Sequence, residues 1–374
     1  MVNHMKTRAA VLWDREKDWS VEEIDLDPPK SGEALVKIVG SGLCHSDEHI
    51  RSGDLPWPLP IIGGHEGAGV IEEVGPDVKG LTPGDHVVFS FTPACGRCSC
   101  CSRGMQNLCE LGMYMAEGYQ LSDGTSRHHA RGDVDLRTLL LLGAFAEHTV
   151  VNEANLVKID GDIPLDIACL VGCGVVTGWG SMVTTGELRA GDTAVVVGVG
   201  GIGINAVQGA AAAGAEFIVA VDPVPFKREQ ARAFGATHAV STSEEATNLL
   251  QDLTKGRMAD VVVNTVGLGT GRQVGLSLAM AGKRGRVVVT NLHNAMENDV
   301  SLNAIDLVLY EKQLRGSLYG SGNPRVDIPR FLDLYRHDKI KLDDLVTKRY
   351  SLDEINDGYR DLLEGKVLRA VMSL

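Results

Sequence analysis

The stretch Thr193-Ala-Val-Val-Val-Gly198-Val-Gly200-Gly201-Ile202-Gly203 joins a continuous apolar run to a glycine-rich turn. A run such as Ala194–Val199, with no polar alternation, is typical of a strand buried on both faces of a parallel sheet. The glycines permit a tight turn and let a pyrophosphate approach the backbone N–H groups where the next helix begins. The segment therefore predicts a strand, a turn and a helix that bind a dinucleotide.

The same alternation of apolar strands and helices continues downstream of this turn. It predicts an α/β domain of the Rossmann type, a doubly wound parallel sheet with helices on both faces, over residues 175–322. The predicted strands are Phe217–Val221, Ala259–Val266, Arg286–Thr290 and Gln313–Tyr319, and the predicted helices are Ile202–Ala213, Phe226–Phe234, Glu244–Thr254 and Gly271–Ala281.

Downstream of the glycine turn, two residues bear on the choice of cofactor. Asp222 ends the second strand, 19 residues after Gly203, where an acid bonds the ribose hydroxyls. A carboxylate there would repel a 2′-phosphate, so NAD is favoured over NADP. Lys227 could reach the same ribose, or it could be a solvated lysine on a helix.

Four cysteines in one short segment predict a metal site. Cys95, Cys98, Cys101 and Cys109 form the pattern C-x2-C-x2-C-x7-C, which suits a closed tetrahedral zinc site with four thiolate ligands. The alternative is a chance cluster or a set of disulfide bonds. Cys100 lies inside the segment but off the pattern, and we interpret it as a bystander.

Bulk composition limits the function classes. A chain of 374 residues predicts two domains, and a net charge of −13 argues against binding to nucleic acid or anionic membranes. The longest apolar runs are far shorter than the ~18 residues of a membrane span. No signal peptide is visible, which predicts a cytoplasmic location where eight cysteines favour metal binding over disulfides.

Three further residues could form a second metal site. Cys44, His65 and Cys173 lie in glycine-rich segments far apart in the sequence. Each alone has an ordinary structural interpretation, because cysteine is often a buried apolar residue and a lone histidine is usually structural. Together they form a Cys2His set with an open fourth position, as a catalytic zinc requires.

These motifs, in this order, resemble those of the zinc-dependent medium-chain alcohol dehydrogenases over essentially the whole chain. The resemblance also rests on Gly64–Gly69, Gly172–Gly180 and Leu368-Arg369-Ala370. It implies a GroES-like distorted β-barrel catalytic domain built from both chain ends, with the Rossmann domain inserted between them. The implied catalytic segments are residues 1–174 and 323–374, with a structural zinc lobe at 93–112.

The resemblance assigns metal roles residue by residue. Cys44, His65 and Cys173 match the ligands of the catalytic zinc, and the four clustered cysteines match those of a structural zinc, giving two zinc ions per chain. Glu66 matches an acid near the metal. Asp47 matches the carboxylate that orients the liganding histidine, a role with a clear physical basis.

The resemblance also assigns residues to substrate, proton and cofactor. Ser46 matches the hydroxyl that contacts the substrate oxygen, and His49 matches the histidine at the solvent end of a proton relay. Thr177 matches a contact to the nicotinamide carboxamide, and Arg369 a contact to the pyrophosphate. His45 stands where many members place an arginine on the pyrophosphate.

One segment departs from the common pattern. Gly112–Gly143 is long, and it resembles the actinobacterial nicotinoprotein subgroup, which holds NAD(H) tightly and is assayed with N,N-dimethyl-4-nitrosoaniline as artificial acceptor. We expect the segment to pack over the dinucleotide and bury it. We expect His128 and His129 to be surface loop residues, and Leu139–Leu142 to be core or an oligomer contact.

The predicted function is the interconversion of an alcohol with its aldehyde or ketone, using zinc and NAD. The expected partners are a small alcohol or aldehyde, an external electron acceptor and further copies of the chain in a dimer or tetramer. One rival is a formaldehyde dehydrogenase acting on a thiol adduct, whose carboxylates Arg127 or Arg131 would bind. Another is a non-enzymatic structural relative, usually marked by loss of the catalytic zinc ligands.

Overall fold

The computed structural model describes residues 4–132 and 134–374, which divide into two compact units. The first unit comprises the described residues up to Cys173 together with Asn323–Asp338 and Leu342–Leu374. The second comprises Gly174–Gly322 and Lys339–Lys341.

The N-terminal part of the first unit consists mainly of strands. Its helices are α1 (His45–Ser52), α2 (Ser99–Ser102) and α3 (Leu165–Ala168). Its strands are β1 (Met5–Leu12), β2 (Ser20–Leu26), β3 (Glu33–Leu43), β4 (Ile61–Ile62), β5 (Gly67–Val74), β6 (His86–Phe89), β7 (His128–Ala130), β8 (Val134–Thr138), β9 (His148–Asn152) and β10 (Leu156–Ile159).

The second unit alternates strands with helices. Its helices are α4 (Gly174–Gly180), α5 (Gly203–Ala212), α6 (Pro225–Ala233), α7 (Ser243–Leu253), α8 (Gly271–Met280) and α9 (Ala304–Leu309). Its strands are β11 (Thr193–Val197), β12 (Phe217–Val221), β13 (His238–Val240), β14 (Ala259–Asn264), β15 (Leu268–Gly269), β16 (Ala281–Val289), β17 (Leu292–His293) and β18 (Gln313–Gly316).

The last part of the chain returns to the first unit. It contributes α10 (Pro324–Arg336), β19 (Val346–Tyr350), α11 (Ile355–Leu363) and β20 (Arg369–Ser373). Strand β20 pairs antiparallel with β3, with Ala370 opposite Leu43. The strand that ends just before Cys44 is therefore held in its sheet by residues from the other end of the chain.

Strands in the first unit form a barrel and a sheet. Five of them close in the order β1-β2-β7-β8-β4, and a seven-stranded sheet has the order β10-β6-β5-β3-β20-β19 with β9 also paired to β3. In the second unit, six parallel strands have the order β13-β12-β11-β14-β16-β18. The predicted combination of a GroES-like barrel domain and a Rossmann sheet is thus observed.

Segment 112–143 contributes to the barrel of the first unit. Two of its stretches are the barrel strands β7 and β8, which pair with β2 and β4. His128 is buried in β7 with Nε2 3.1 Å from Thr149 Oγ1, and burial lowers its pKa to about 3. The prediction of a surface loop residue is therefore wrong for His128. Three of the four leucines in Leu139–Leu142 are buried, so this run belongs to the core.

Arg127 is not available to bind an acidic ligand. Its side chain is 0% exposed, and its Nε and Nη2 donate to the two carboxylate oxygens of Glu33 at 2.9 and 2.8 Å. Asp123 accepts a further bond from Nη2 at 3.0 Å. A planar guanidinium bonded through two nitrogens to one carboxylate is the strongest form of this interaction. The pair fastens the start of β3 to the residues that precede β7.

Among the described residues, no single helix is long and apolar enough to cross a membrane. Two helical segments joined by a bend, Leu165–Gly172 and Gly174–Thr185, together have the length and the apolar composition of a membrane span, and nothing else in the described part of the chain points to one.

Replacing Arg127 with methionine should destabilise the first unit by about 3–5 kcal/mol, because it leaves the buried Glu33 carboxylate without its partner. The matched control is Arg131→Met, since Arg131 is an exposed residue of the same segment. Thermal unfolding followed by circular dichroism compares the two variants. Equal melting temperatures for both would show that the buried pair contributes nothing to stability.

Candidate functional site

Four potential metal ligands converge in the first unit. One ligand atom each from Cys44, His65, Glu66 and Cys173 lies within 4.8 Å of all the others, and all four residues are buried. Cys44 is the residue before α1, and His65 and Glu66 stand between β4 and β5. The structure therefore brings together three residues that lie far apart in the sequence, as predicted.

The surroundings of His65 fit a metal ligand. Its Nδ1 lies 3.1 Å from Asp47 Oδ2, and the other Asp47 oxygen accepts a hydrogen bond from Gly64 N at 2.8 Å. Asp47 thus favours a proton on Nδ1 and leaves Nε2 as the basic nitrogen. Within the described part of the chain, Nε2 is buried and has no hydrogen-bond partner. A buried acceptor of this kind suits a metal ion.

The two buried thiols also fit this interpretation. A hydrogen bond from Cys173 holds the pKa of Cys44 well below its usual value, against the effect of burial, and the pKa of Cys173 is raised in return. Metal ligation requires thiolates, which a divalent cation stabilises.

Glu66 is paired with Arg369 rather than left facing the thiols alone. Glu66 Oε2 accepts a hydrogen bond from Arg369 Nη2, and both side chains are buried. Burial raises the pKa of Glu66 to about 7, although Arg369 opposes this effect. Gly42 makes the pairing possible, because a Cβ there would lie 2.2 Å from Glu66 Oε2. We expected Arg369 at the cofactor pyrophosphate, and its contact here is the acid beside the metal ligands.

Helix α1 carries the predicted substrate and proton residues. Ser46 is half-buried, with Oγ 3.7 Å from Cys44 Sγ, and His45 is the half-buried first residue of the helix. The His49 side chain is only 6% exposed, and its Nδ1 lies 3.1 Å from Asp54 Oδ2. The ring is therefore nearly buried, and Asp54, which follows α1, contacts it. Sequence reasoning did not identify Asp54.

The clustered cysteines form a second candidate metal centre. The Sγ atoms of Cys95 and Cys101 are 4.0 Å apart, and those of Cys98 and Cys109 are 3.9 Å apart. Zn–S bonds of about 2.3 Å in a tetrahedron place sulfur atoms about 3.8 Å apart. A disulfide would need about 2.05 Å. The disulfide alternative is therefore wrong, and the spacing fits four zinc ligands.

Backbone N–H groups support this thiolate cluster. Cys98 Sγ accepts from the N–H groups of Cys101 and Glu110 at 3.4 and 3.5 Å, which lowers the pKa of Cys98 to about 6. Cys100, the off-pattern cysteine, is absent from the four-residue metal group. Helix α2 and the residue after Cys109 therefore each direct a backbone N–H group at this sulfur.

The glycine turn in the second unit has the form that a dinucleotide needs. Gly198 has φ of +85°, and a Cβ at Gly203 would lie 1.9 Å from Gly198 O. A Cβ at Gly200 would meet nothing within 4 Å, so this side of the turn is open. Between Gly200 and Gly203, Gly201 and Ile202 are half-buried. The two outer glycines are required by the backbone, and the space beside Gly200 fits a phosphate.

Asp222 is bound to the same turn. Its Oδ2 accepts a hydrogen bond from Val199 N, and its Oδ1 accepts one from Val224 N, both at 2.9 Å. A carboxylate has four lone-pair positions, so two remain for ribose hydroxyls. Lys227 lies half-buried on α6, next to Arg228, whose Nη1 donates to Asp222 O at 2.7 Å. Sequence reasoning missed Arg228, whose only signal was its place beside Lys227.

Thr177 lies on α4 in this unit. The residue is buried, and within the described chain its Oγ1 has no hydrogen-bond partner. Helix α4 packs closely on the glycine turn, since a Cβ at Gly178 would lie 2.1 Å from Ile202 O. An unpaired hydroxyl at this position fits a contact to a bound polar ligand.

Comparison with known proteins agrees with both parts of this arrangement. Residues 30–161 match the family model described as Alcohol dehydrogenase GroES-like domain, and residues 201–336 match that described as Zinc-binding dehydrogenase. The chain belongs to the zinc-dependent medium-chain alcohol dehydrogenases.

Individual members of this family match the chain over nearly its full length. It is 50% identical to a putative alcohol dehydrogenase D of Mycobacterium tuberculosis, covering 98% of this chain and 100% of that protein. It is also 50% identical to an NDMA-dependent alcohol dehydrogenase of Amycolatopsis methanolica, covering 98% of this chain and 99% of that protein. The crystal structure of benzyl alcohol dehydrogenase from Acinetobacter calcoaceticus matches with a TM-score of 0.92 at 29% identity, covering 99% of each chain.

Family membership confirms the predicted resemblance, fold and enzyme class. Neither rival gains support. Arg127, one of the two residues offered for binding a thiol adduct, is buried against Glu33. The three residues predicted to bind the catalytic zinc, whose loss usually marks a non-enzymatic member, are all present and converge.

Proposed function

We propose that this alcohol dehydrogenase oxidises a small alcohol to its aldehyde or ketone and transfers the hydride to NAD. The observation that carries this proposal is the buried set Cys44, His65 and Cys173, in which His65 Nε2 has no hydrogen-bond partner among the described residues. Relatives at 50% identity over nearly the whole chain carry the name alcohol dehydrogenase.

The chain's own residues hold the metal and move the proton. A zinc ion held by Cys44, His65 and Cys173 supplies Lewis acidity that makes an alcohol hydroxyl more acidic, and the nicotinamide supplies the hydride acceptor. Ser46 accepts the hydroxyl proton, and His49 receives it next. Asp47 holds the His65 ring in the tautomer that a metal needs.

Asp222 supports NAD, rather than NADP, as the cofactor. The carboxylate is fixed by two backbone N–H groups at 2.9 Å, so it cannot swing away from an incoming phosphate. A 2′-phosphate beside it would meet like charge. Lys227 and Arg228 are the nearby cations on α6 that would contact the ribose.

The proposal extends to tight binding of the cofactor. It is supported by the 50% identity to an NDMA-dependent alcohol dehydrogenase over 98% of this chain. Trapped NAD(H) would be recycled by an external electron acceptor rather than exchanged, because a slow off-rate is the usual source of tight binding.

Protein desalted by gel filtration should retain NAD(H). Adding an alcohol should then give reduced-nicotinamide absorbance, and N,N-dimethyl-4-nitrosoaniline should support turnover with no NAD added. The nucleotide released by heat should be NAD rather than NADP. Protein that emerges free of cofactor and cycles free NAD would contradict tight binding, while still supporting an alcohol dehydrogenase.

Metal analysis should find two zinc ions per chain. Cys98→Ser should lose one zinc and lower the melting temperature, because it opens the site of four thiolates. The control Cys100→Ser should keep both ions, since Cys100 lies outside the metal group. Cys44→Ser should keep the fold and lose turnover. One zinc or none in the wild type would refute the proposal of two sites.

His49→Gln should slow alcohol oxidation near and below neutral pH, because glutamine cannot take up the proton. General acid–base groups typically contribute ~10²–10⁴-fold, and we expect the low end because water can bypass the residue. Added imidazole buffer should restore part of the rate. An unchanged pH–rate profile would remove His49 from proton transfer.

We also propose that the protein forms a homo-oligomer through the second unit. Strand β18 is an edge of the parallel sheet. Ile305, Val308 and Leu309 on α9 are 66%, 72% and 70% exposed, and Leu314 on β18 is 42% exposed. Exposed apolar side chains and open strand edges are surfaces that proteins normally cover. A second copy of the chain would cover it.

Val308→Glu combined with Leu314→Lys should shift the protein toward monomer in light scattering after size exclusion, because charges would be buried at the contact. The matched control is Val326→Glu, which adds charge at another exposed valine on α10. A wild type that is monomeric at micromolar concentration, or a double variant of unchanged mass, would contradict the proposal.

A further inference from the structure

The chain reverses sharply after helix α1 and brings a carboxylate back onto the helix. Gly53 has φ of +90°, a left-handed conformation that favours glycine. After this turn, Leu55 N donates a hydrogen bond to His49 O at 3.0 Å. Asp54, between these two residues, is therefore held beside the last turn of α1 rather than pointing away along the chain.

Asp54 contacts the one histidine that the proposed reaction uses for proton transfer. Its Oδ2 lies 3.1 Å from His49 Nδ1 and accepts a hydrogen bond from Ser52 Oγ at 2.7 Å. The Asp54 side chain is 23% exposed, whereas that of His49 is 6% exposed. The carboxylate is therefore partly exposed, and its Oδ2 meets both the Ser52 hydroxyl and the nearly buried ring.

The Glu48 carboxylate, next to His49 on α1, is bound by an arginine. Its two oxygens accept hydrogen bonds from Arg51 Nε and Nη2 at 2.7 and 2.8 Å. His49 also lies in the last turn of α1, where the helix dipole favours positive charge.

We propose that Asp54 is a positioning residue for the proton step: it holds the proton of His49 on Nδ1, so that Nε2 is the nitrogen that accepts the proton released by the alcohol. This inference rests on the proposed role of His49. In each turnover Nε2 takes one proton and the ring becomes an imidazolium. One proton then leaves the ring for water, the ring returns to its starting state, and Asp54 stays ionised throughout.

The test compares Asp54→Asn with Asp344→Asn in otherwise intact holoenzyme. Asp344 is an exposed aspartate elsewhere in the first unit and serves as the matched control. The substrate is whichever alcohol, in a series from ethanol to benzyl alcohol, the wild type oxidises fastest. For Asp54→Asn we expect kcat near neutral pH to fall about 10-fold or more, with KM within about two-fold of wild type.

Two readouts separate positioning from a structural role. The acid limb of the kcat profile should move to lower pH in Asp54→Asn, because removing a negative charge makes the imidazolium easier to deprotonate. Nitrogen NMR of histidine-labelled protein should show His49 protonated on Nδ1 in the wild type and a changed tautomer mixture in the variant. Zinc and cofactor content should be the same in both proteins.

The outcomes distinguish this inference from the proposed function. A wild-type kcat profile in Asp54→Asn, alongside a slow His49→Gln, would overturn the role of Asp54 and leave His49 in place. If the His49→Gln variant instead oxidises alcohol as fast as the wild type, the proposed role of His49 in proton transfer is itself wrong. If Asp54→Asn fails to fold, Ser52→Ala removes a neutral donor from Oδ2, leaves its charge to the ring and should move the acid limb slightly to higher pH; an unshifted limb would overturn the inference.

Discussion

The first unit is organised around the confinement of two thiols, an imidazole and a carboxylate within 4.8 Å in a buried space. Burial disfavours their charged forms, and their mutual repulsion adds to the cost. The surrounding structure compensates with opposite charge: Asp47 Oδ2 lies 3.1 Å from His65 Nδ1, and Arg369 donates a hydrogen bond to Glu66. Because Arg369 lies on β20, the electrostatic balance of the site depends on the last strand of the chain pairing with β3.

The glycine turn and the cysteine segment could be read from the sequence because their physics is local. Continuous apolar strands such as Ala194–Val199 predict a buried parallel sheet, and the Sγ distances of 3.9–4.0 Å among the clustered cysteines follow from their spacing along one short segment. Short strands were harder to predict from the sequence. Strand β13 has three half-buried residues, too few for a pattern of alternation to appear.

The errors arose where a single distant contact decides burial. Nothing near His128 in the sequence reveals that its strand closes a barrel against β2, and nothing near Arg127 reveals Glu33, 94 residues away. The contact of Asp54 with His49, which the sequence also did not reveal, depends on the left-handed turn at Gly53. Such effects depend on tertiary packing, which sequence periodicity does not encode.

The central claim is that two separate sets of side chains bind zinc, one through four thiolates and one through two thiolates and an imidazole. X-ray absorption at the zinc edge of the purified protein tests it most directly. Six cysteine ligands shared by two ions predict an average of three sulfur atoms per zinc, at about 2.3 Å, with a lighter shell at about 2.0–2.2 Å. A shell of nitrogen and oxygen with little sulfur, or a pure four-sulfur shell, would contradict the account.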